Sequence, residues 1–179
     1  MAANQPLPHA HHGAPRAFVP QGVKILTVSD TRRLEDDHSG ALIAELLSGA
    51  GHRVLERRVV RDEQELLREI VSGWCAEDSV RAVIVTGGTG VTARDVTPEA
   101  LEPLFDKPLA GFGELFRMLS FAEIGTAAIQ SRATAGVVRG RIVFAVPGST
   151  GACRLAMEKI ILPQLDTRTS PCSLADLCA

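Results

Sequence analysis

Residues 80–98 read VRAVIVTGGTGVTARDVTP. The β-branched run Val83-Ile84-Val85 breaks into Thr86-Gly87-Gly88-Thr89-Gly90, a lone carboxylate follows at Asp95, and Thr97-Pro98-Glu99 has the form of a helix start. A buried strand that ends in a glycine-rich loop is how an α/β sheet presents backbone N–H groups to an anion. Three glycines in four residues let the backbone approach a phosphate with no Cβ in the way, and two threonines add hydroxyl donors. No Gly-Lys-Ser/Thr closes the loop and the spacing is not GxGxxG, so neither a P-loop nor a dinucleotide fingerprint is present. A tight surface turn is the plainer alternative.

The chain on either side alternates in the same manner. Val23–Ser29 is near-continuously apolar, as suits a strand buried on both faces. Asp36-Asp37-His38-Ser39 offers helix N-caps, Leu42, Ile43, Leu46, Leu47 and Ala50 recur at helical spacing, and Gly51 stops that helix. His52–Val60 predicts a second strand. A helix is expected from Asp62, with Leu66, Leu67, Ile70, Val71 and Trp74 on its apolar face, and Val80–Thr86 is the third strand. This β-α-β-α-β order with short connections implies a parallel sheet between helical layers. Pro98–Phe105 predicts a short helix, and residues 136–146 predict two strands about a turn at Arg139-Gly140. Directly after them comes a second small-residue loop, Pro147-Gly148-Ser149-Thr150-Gly151, leading into a helix over Cys153–Leu165. Two such loops at the carboxyl ends of strands can share one crevice; Ser149 and Thr150 are equally ordinary N-caps.

The chemistry available is narrow. There is no tyrosine among 179 residues, no GxSxG elbow, and outside the first 20 residues only His38 and His52. That leaves backbone amides, hydroxyls and the isolated carboxylates Asp30, Asp37, Asp62 and Asp95. Phosphoryl or nucleotidyl transfer needs positioning and charge neutralisation more than covalent help, often with Mg²⁺ on a few carboxylates. Asp62 and Asp95 could reach one site, or serve as a helix cap and an Asx-turn. Net charge is −2, which gives no nucleic-acid footprint, and no apolar run approaches membrane-spanning length. Four scattered cysteines without a CxxC read as reduced thiols of a cytoplasmic protein. Cys153 is either a thiol favoured at a helix start or a small core residue. Residues 1–20, with four prolines and three histidines, are expected to form a flexible arm ahead of one domain over 21–179. Phe112, Leu115, Phe116, Met118, Leu119 and Phe121 make a glycine-flanked apolar segment that either covers the protein's own core or marks an interface.

Taken together, ILTVSDTR (25–32), EDDHSG (35–40), VTGGTGVTARDVTPEAL (85–101), GFGELFRMLSFAEIGTAAIQSRATAG (111–136) and VPGSTGACRLAMEKIILPQLD (146–166) resemble the molybdenum-cofactor biosynthesis protein B (MoaB) family. That family is related to the molybdopterin adenylyltransferases and the gephyrin G domain. The resemblance spans about residues 18–172. It implies a three-layer α-β-α sandwich with a mostly parallel sheet of the MogA/MoaB type, and a homo-oligomer, trimeric or a dimer of trimers. It also implies molybdopterin as ligand, and in the active relatives transfer of AMP from MgATP to molybdopterin with release of pyrophosphate. Thr86, Gly87, Gly88, Thr89 and Gly90 match the family's phosphate and pterin loop; Pro147, Gly148 and Ser149 match the second loop. Asp62 and Asp95 match its two functional aspartates, catalytic and, with Mg²⁺, metal-holding. Many adenylyltransferase relatives carry Pro-Gly-x-Pro and a nearby lysine where this chain has PGSTGA, so a neutralising cation would have to come from Arg154. A molybdopterin-binding protein without turnover is the alternative the resemblance leaves open.

Overall fold

Six strands order themselves β2-β1-β3-β6-β5-β4 in one sheet, where β1 is Gly22–Val28, β2 Arg53–Val60, β3 Ala82–Thr86, β4 Lys107–Pro108, β5 Thr134–Val138 and β6 Arg141–Val146. The structure is a computed structural model and describes residues 16–178. The four strands from β2 to β6 run parallel, and β5 and β4 add an antiparallel edge. β1, β3 and most of β6 are buried on both faces, which is why their sequences show no polar alternation. Successive side chains point to opposite faces, and the two cores divide accordingly. Ile25, Ile84, Ile142 and Phe144 join one core, with Ile43, Leu47, Phe112, Phe116 and Met157. Leu26, Val83, Val85 and Val143 join the other, with Leu67, Val71, Trp74 and Leu101.

The helices supply those partners. α1 (His38–Gly49) and α4 (Ala110–Ile124) cover the first face, together with α5 (Thr150–Ala156); α2 (Gln64–Trp74) and α3 (Thr97–Leu101) cover the second. α5 continues through a π-helical turn at Met157–Ile161 into α6 (Leu162–Leu165). Pro163 lacks the N–H that a regular α-helix would direct at Lys159, which favours the wider turn there. β1 connects to β2 on one side of it and β3 lies on the other. The carboxyl ends of β1, β3 and β6 therefore border a topological switch point, the place where open α/β sheets bind ligands.

Asp37 ties α1 to this arrangement. Its carboxylate accepts from Gly40 N–H at 2.8 Å as the helix N-cap, from the Thr27 hydroxyl of β1 at 2.9 Å, and from Arg57 Nη2 of β2 at 3.1 Å. The side chain is 1% exposed. Arg139 (φ 50°) and Gly140 (φ 74°) form the β5–β6 turn, as their sequence predicts.

Three boundaries differ from the sequence reading. α2 starts at Gln64 after an N-cap position at Glu63, and Asp62 caps nothing there. β4, only two residues long and beginning with an exposed lysine, carries no periodicity to read. Of the arm expected over 1–20, residues 1–15 lie outside the described residues, while 16–20 make specific contacts: the Thr167 hydroxyl donates to Ala17 O at 2.7 Å, and the Phe18 ring lies 5.3 Å from His52.

Asp37→Ala removes the cap of α1, the acceptor of the Thr27 hydroxyl and the ion pair of Arg57, whose Nη2 keeps only Asp37 O at 3.2 Å. It should cost on the order of 3 kcal/mol, measured as a lowered denaturation midpoint; a loss under about 0.5 kcal/mol would contradict the role given to Asp37.

Candidate functional site

The loop after β3 is bent by backbone that L side chains rarely adopt, with φ of 104° at Gly87 and 62° at Gly88. A Cβ on Gly87 would collide with the carbonyl oxygen of Val28 at the end of β1. Gly87 N–H donates to Val146 O at the end of β6, 3.0 Å away. Gly87 O accepts from the Thr97 hydroxyl at 2.9 Å, and Gly88 O accepts from Thr97 N–H at 3.0 Å. One glycine thus touches all three strand ends, and α3 is tied to the loop through Thr97.

The second loop lies directly alongside. A Cβ on Gly148 would stand 3.2 Å from the Cα of Gly87. Ser149 caps α5, accepting from Ala152 N–H at 3.3 Å, so that helix starts at the loop and directs its free amides toward it. The two loops open on a cleft of about 430 Å³. Gly87, Gly88, Thr89, Gly90 and Asp95 line one side, Pro147, Gly148 and Ser149 another, and Phe116, Ser120, Ile124 and Ala127 a third, largely apolar wall.

Thr86 is not on this surface. It is fully buried, its hydroxyl donates to Pro147 O at 3.1 Å, and it lies 3.1 Å from the sulfur of Cys153. The hydroxyl expected to face a ligand instead ties β3 to the second loop. Cys153 is likewise fully buried, and burial pushes its thiol pKa up. The small-core reading is therefore the one this geometry supports, and no thiolate is favoured at that helix start.

The two aspartates flank the glycine loop two positions apart. A Cβ on Gly88 would sit 2.7 Å from Asp62 Oδ2, and one on Gly90 would sit 2.8 Å from Asp95 Oδ2. Asp95 Oδ2 accepts from Thr92 N–H at 2.9 Å and from the Thr92 hydroxyl at 2.5 Å, and these bonds hold its pKa down. Asp62 Oδ1 accepts from Val96 N–H at 3.3 Å, the one hydrogen bond of its carboxylate among the described residues. Burial pushes the Asp62 pKa up, and the charges of Asp95 and Asp30 add to the push. A half-buried carboxylate raised by its neighbours is a group that a cation or a donating ligand would relieve.

Other charges complete the surroundings, one of them the isolated carboxylate Asp30 and another, Arg132, not marked by the sequence. Asp30 follows β1, pairs with Arg94 of the glycine loop at 2.6 Å, and accepts from Asp62 N–H at 3.3 Å. Arg132 braces the same loop from the other side: Nε donates to Gly90 O and Nη2 to Asp95 O, each at 2.7 Å, and Nη1 pairs with Glu99. No motif marks Arg132; it precedes the antiparallel strand β5, and only the fold brings it to residue 90. Arg154, the cation expected near the second loop, forms an ion pair with Glu158 along its own helix at 3.0 Å and is not part of the cleft wall. A neighbouring cleft of about 590 Å³ is bordered by Glu99, Glu102 and Glu114 with Arg117 and Arg132; three glutamates there disfavour a polyanion.

A glycine-rich cleft at the switch point of an open α/β sheet is where folds of this class present main-chain amides to anionic small molecules. Residues 24–167 match a family model described as "Probable molybdopterin binding domain". Molybdenum cofactor biosynthesis protein B of Escherichia coli strain K12 is 53% identical over 156 residues, which cover 87% of this chain and 92% of that protein. A crystal structure of a molybdenum cofactor biosynthesis protein B superposes with TM-score 0.81 at 48% identity, covering 84% of this chain and 94% of the other. The tungsten cofactor synthesizing protein MoaB of Pyrococcus furiosus superposes with TM-score 0.69 at 40% identity, covering 79% and 91%. The chain belongs to the molybdenum cofactor biosynthesis protein B family. No helix among the described residues is long and apolar enough to cross a membrane.

Cys172 is exposed, whereas Cys75 and Cys153 are buried and burial drives the Cys75 thiol up to about 12. Under native conditions iodoacetamide should modify Cys172 and spare Cys75 and Cys153 until the protein unfolds, as read by peptide mass spectrometry; fast native labelling of Cys153 would contradict its place beneath the loops.

Proposed function

We propose that the cleft binds molybdopterin and that the chain transfers AMP to it from MgATP, releasing pyrophosphate. The observation that supports this most directly is the contact of the two glycine loops at Gly87 and Gly148. It puts two sets of main-chain amides and the start of α5 around one cavity, with Asp62 and Asp95 beside it. In the reaction an oxygen of the terminal phosphate of molybdopterin attacks the α-phosphorus of ATP. The bond from that phosphorus to the β-bridging oxygen breaks, and its electron pair leaves with pyrophosphate. The nucleophile is already anionic, so no side chain has to remove a proton. The protein's work is to align the two phosphates and stabilise charge. Magnesium enters with ATP as part of the substrate and neutralises the triphosphate. Asp62, whose Oδ2 accepts no hydrogen bond from the described residues, and Asp95 are the residues that would hold it or orient the nucleotide. The apolar wall of Phe116, Ile124 and Ala127 suits the ring system of a pterin.

A second reading is a molybdopterin-binding protein without turnover, active in the same pathway. Arg154 turned to Glu158, and a cleft wall with no lysine or arginine among the described residues, favour it. Pyrophosphate release from MgATP in the presence of molybdopterin separates the two. On the transferase reading Asp62→Asn or Asp95→Asn lowers turnover on the order of a hundredfold and leaves molybdopterin affinity nearly unchanged. Gly88→Ala instead weakens binding, because its Cβ enters the space of Asp62 and Thr97 at a positive φ. Binding without any pyrophosphate release by the wild-type protein would establish the second reading.

We further propose that the protein is a cytoplasmic homo-oligomer, a trimer or a dimer of trimers. α4 divides its apolar residues: Phe112 and Phe116 are buried in the core, while Met118, Phe121 and Ile124 are about 60% exposed, and Ile129, in the turn after α4, is more exposed still. An apolar patch of this kind is uncommon on a monomer. Phe121→Glu should yield a monomer in light scattering at micromolar concentration; a wild-type protein already monomeric there would overturn the assembly.

A further inference from the structure

The phosphates of the proposed ligands need positive charge, and the cleft wall supplies none among the described residues. Three of the arginines around it are engaged. Arg94 is paired with Asp30, Arg132 spends its guanidinium on Gly90 O, Asp95 O and Glu99, and Arg117 donates to Ala133 O from the neighbouring cleft. Arg32 differs. It follows β1 on the segment Ser29–Arg32, whose backbone is fixed by the Ser29 hydroxyl oxygen, which accepts from Thr31 N–H at 3.4 Å and Arg32 N–H at 3.2 Å. Its Nη1 reaches Gly148 O and the Ser39 hydroxyl oxygen, each at a long 3.4 Å. The Ser39 hydroxyl already donates to Gly148 O at 2.7 Å, so that carbonyl does not depend on Arg32. Arg32 forms no ion pair among the described residues, its Nη2 and Nε make no hydrogen bond there, and it is exposed.

We propose that Arg32 is a phosphate-binding residue of this cleft, its free guanidinium edge closing on a phosphoryl group held by the Gly148 loop. This rests on the reading of the cleft as a site for phosphate-bearing ligands and adds the residue that neutralises them. The guanidinium fork matches a phosphate in a bidentate pair, which an ammonium cannot reproduce. A single arm from β1 would thereby serve both loops, Asp30 holding Arg94 and Arg32 holding ligand.

The phosphoryl group belongs to either the nucleotide or molybdopterin, so affinities for MgATP, molybdopterin and inorganic tripolyphosphate are measured separately by calorimetry. The proteins are wild type, Arg32→Ala, Arg32→Lys and, as a control outside the cleft, Arg154→Ala. Arg32→Ala should weaken at least one ligand on the order of tenfold or more, with an unchanged unfolding midpoint; Arg32→Lys should recover only part of the loss, and Arg154→Ala should match wild type. Loss with MgATP alone assigns the nucleotide phosphate, and loss with molybdopterin alone assigns the pterin's phosphate. If wild type binds only tripolyphosphate and Arg32→Ala loses it, the proposed function fails while the Arg32 site stands. Equal affinities for wild type and Arg32→Ala with every ligand, or no binding of any, overturns the assignment.

Discussion

Gly87 stands where three strand ends meet, and the structure around the site depends on its lacking a side chain. The carbonyl of Val28 occupies the place a Cβ would take, its N–H holds Val146 O, and its own carbonyl holds the Thr97 hydroxyl. A backbone bent to φ 104° at the end of a fully buried strand is costly for any other residue. Widening the junction to admit one would part the ends of β1 and β3 and push away Gly148, and with it the start of α5. Both loops therefore take their spacing from one close approach of main chain to main chain.

The same junction settles how charge is distributed. Main-chain amides and a helix start face the cleft, while the formal charges near it are carboxylates on the glycine loop and arginines mostly committed to holding loops. Arg132 and Arg94 fix residues 90–95 from opposite sides, so that Asp62 and Asp95 stay beside the loop instead of relaxing into solvent. Fixing polar groups before ligand arrives is the condition under which electrostatic stabilisation costs little reorganisation. Such a site repels anions unless cations come with the ligand or from the rim, the roles proposed for magnesium and Arg32.

Much of the fold is legible in the sequence because burial on both faces leaves strands such as Val83–Val85 without polar residues, and because Asp37 and Gly51 punctuate their helix by their own chemistry. The pairing of TGGTG with PGST is legible too, since both follow strands and small residues are tolerated at such density only where backbone comes close. The rest is set by tertiary contact. Nothing local distinguishes Thr86, whose hydroxyl is turned inward, from Thr89, which borders the cleft. Asp62 precedes a helix and has the form of a cap, yet its partner is Val96, 34 residues on. Ser29–Arg32 and Arg132 lie in segments without periodicity, and α4 is so continuously apolar that its buried and exposed stripes separate only once its neighbours are in place.

On the proposed function a single cleft between the glycine loops holds the phosphates of both ligands on main-chain amides. A crystal structure with molybdopterin and α,β-methylene ATP, which cannot release pyrophosphate, tests it most directly. Phosphate oxygens should then lie within hydrogen-bond distance of the N–H groups of residues 88–90 and of the amides that begin α5, with Asp62 and Asp95 beside the triphosphate. Both ligands bound elsewhere, as in the neighbouring cleft bordered by Glu99, Glu102 and Glu114, with the space between Gly88 and Gly148 left to solvent, would contradict it.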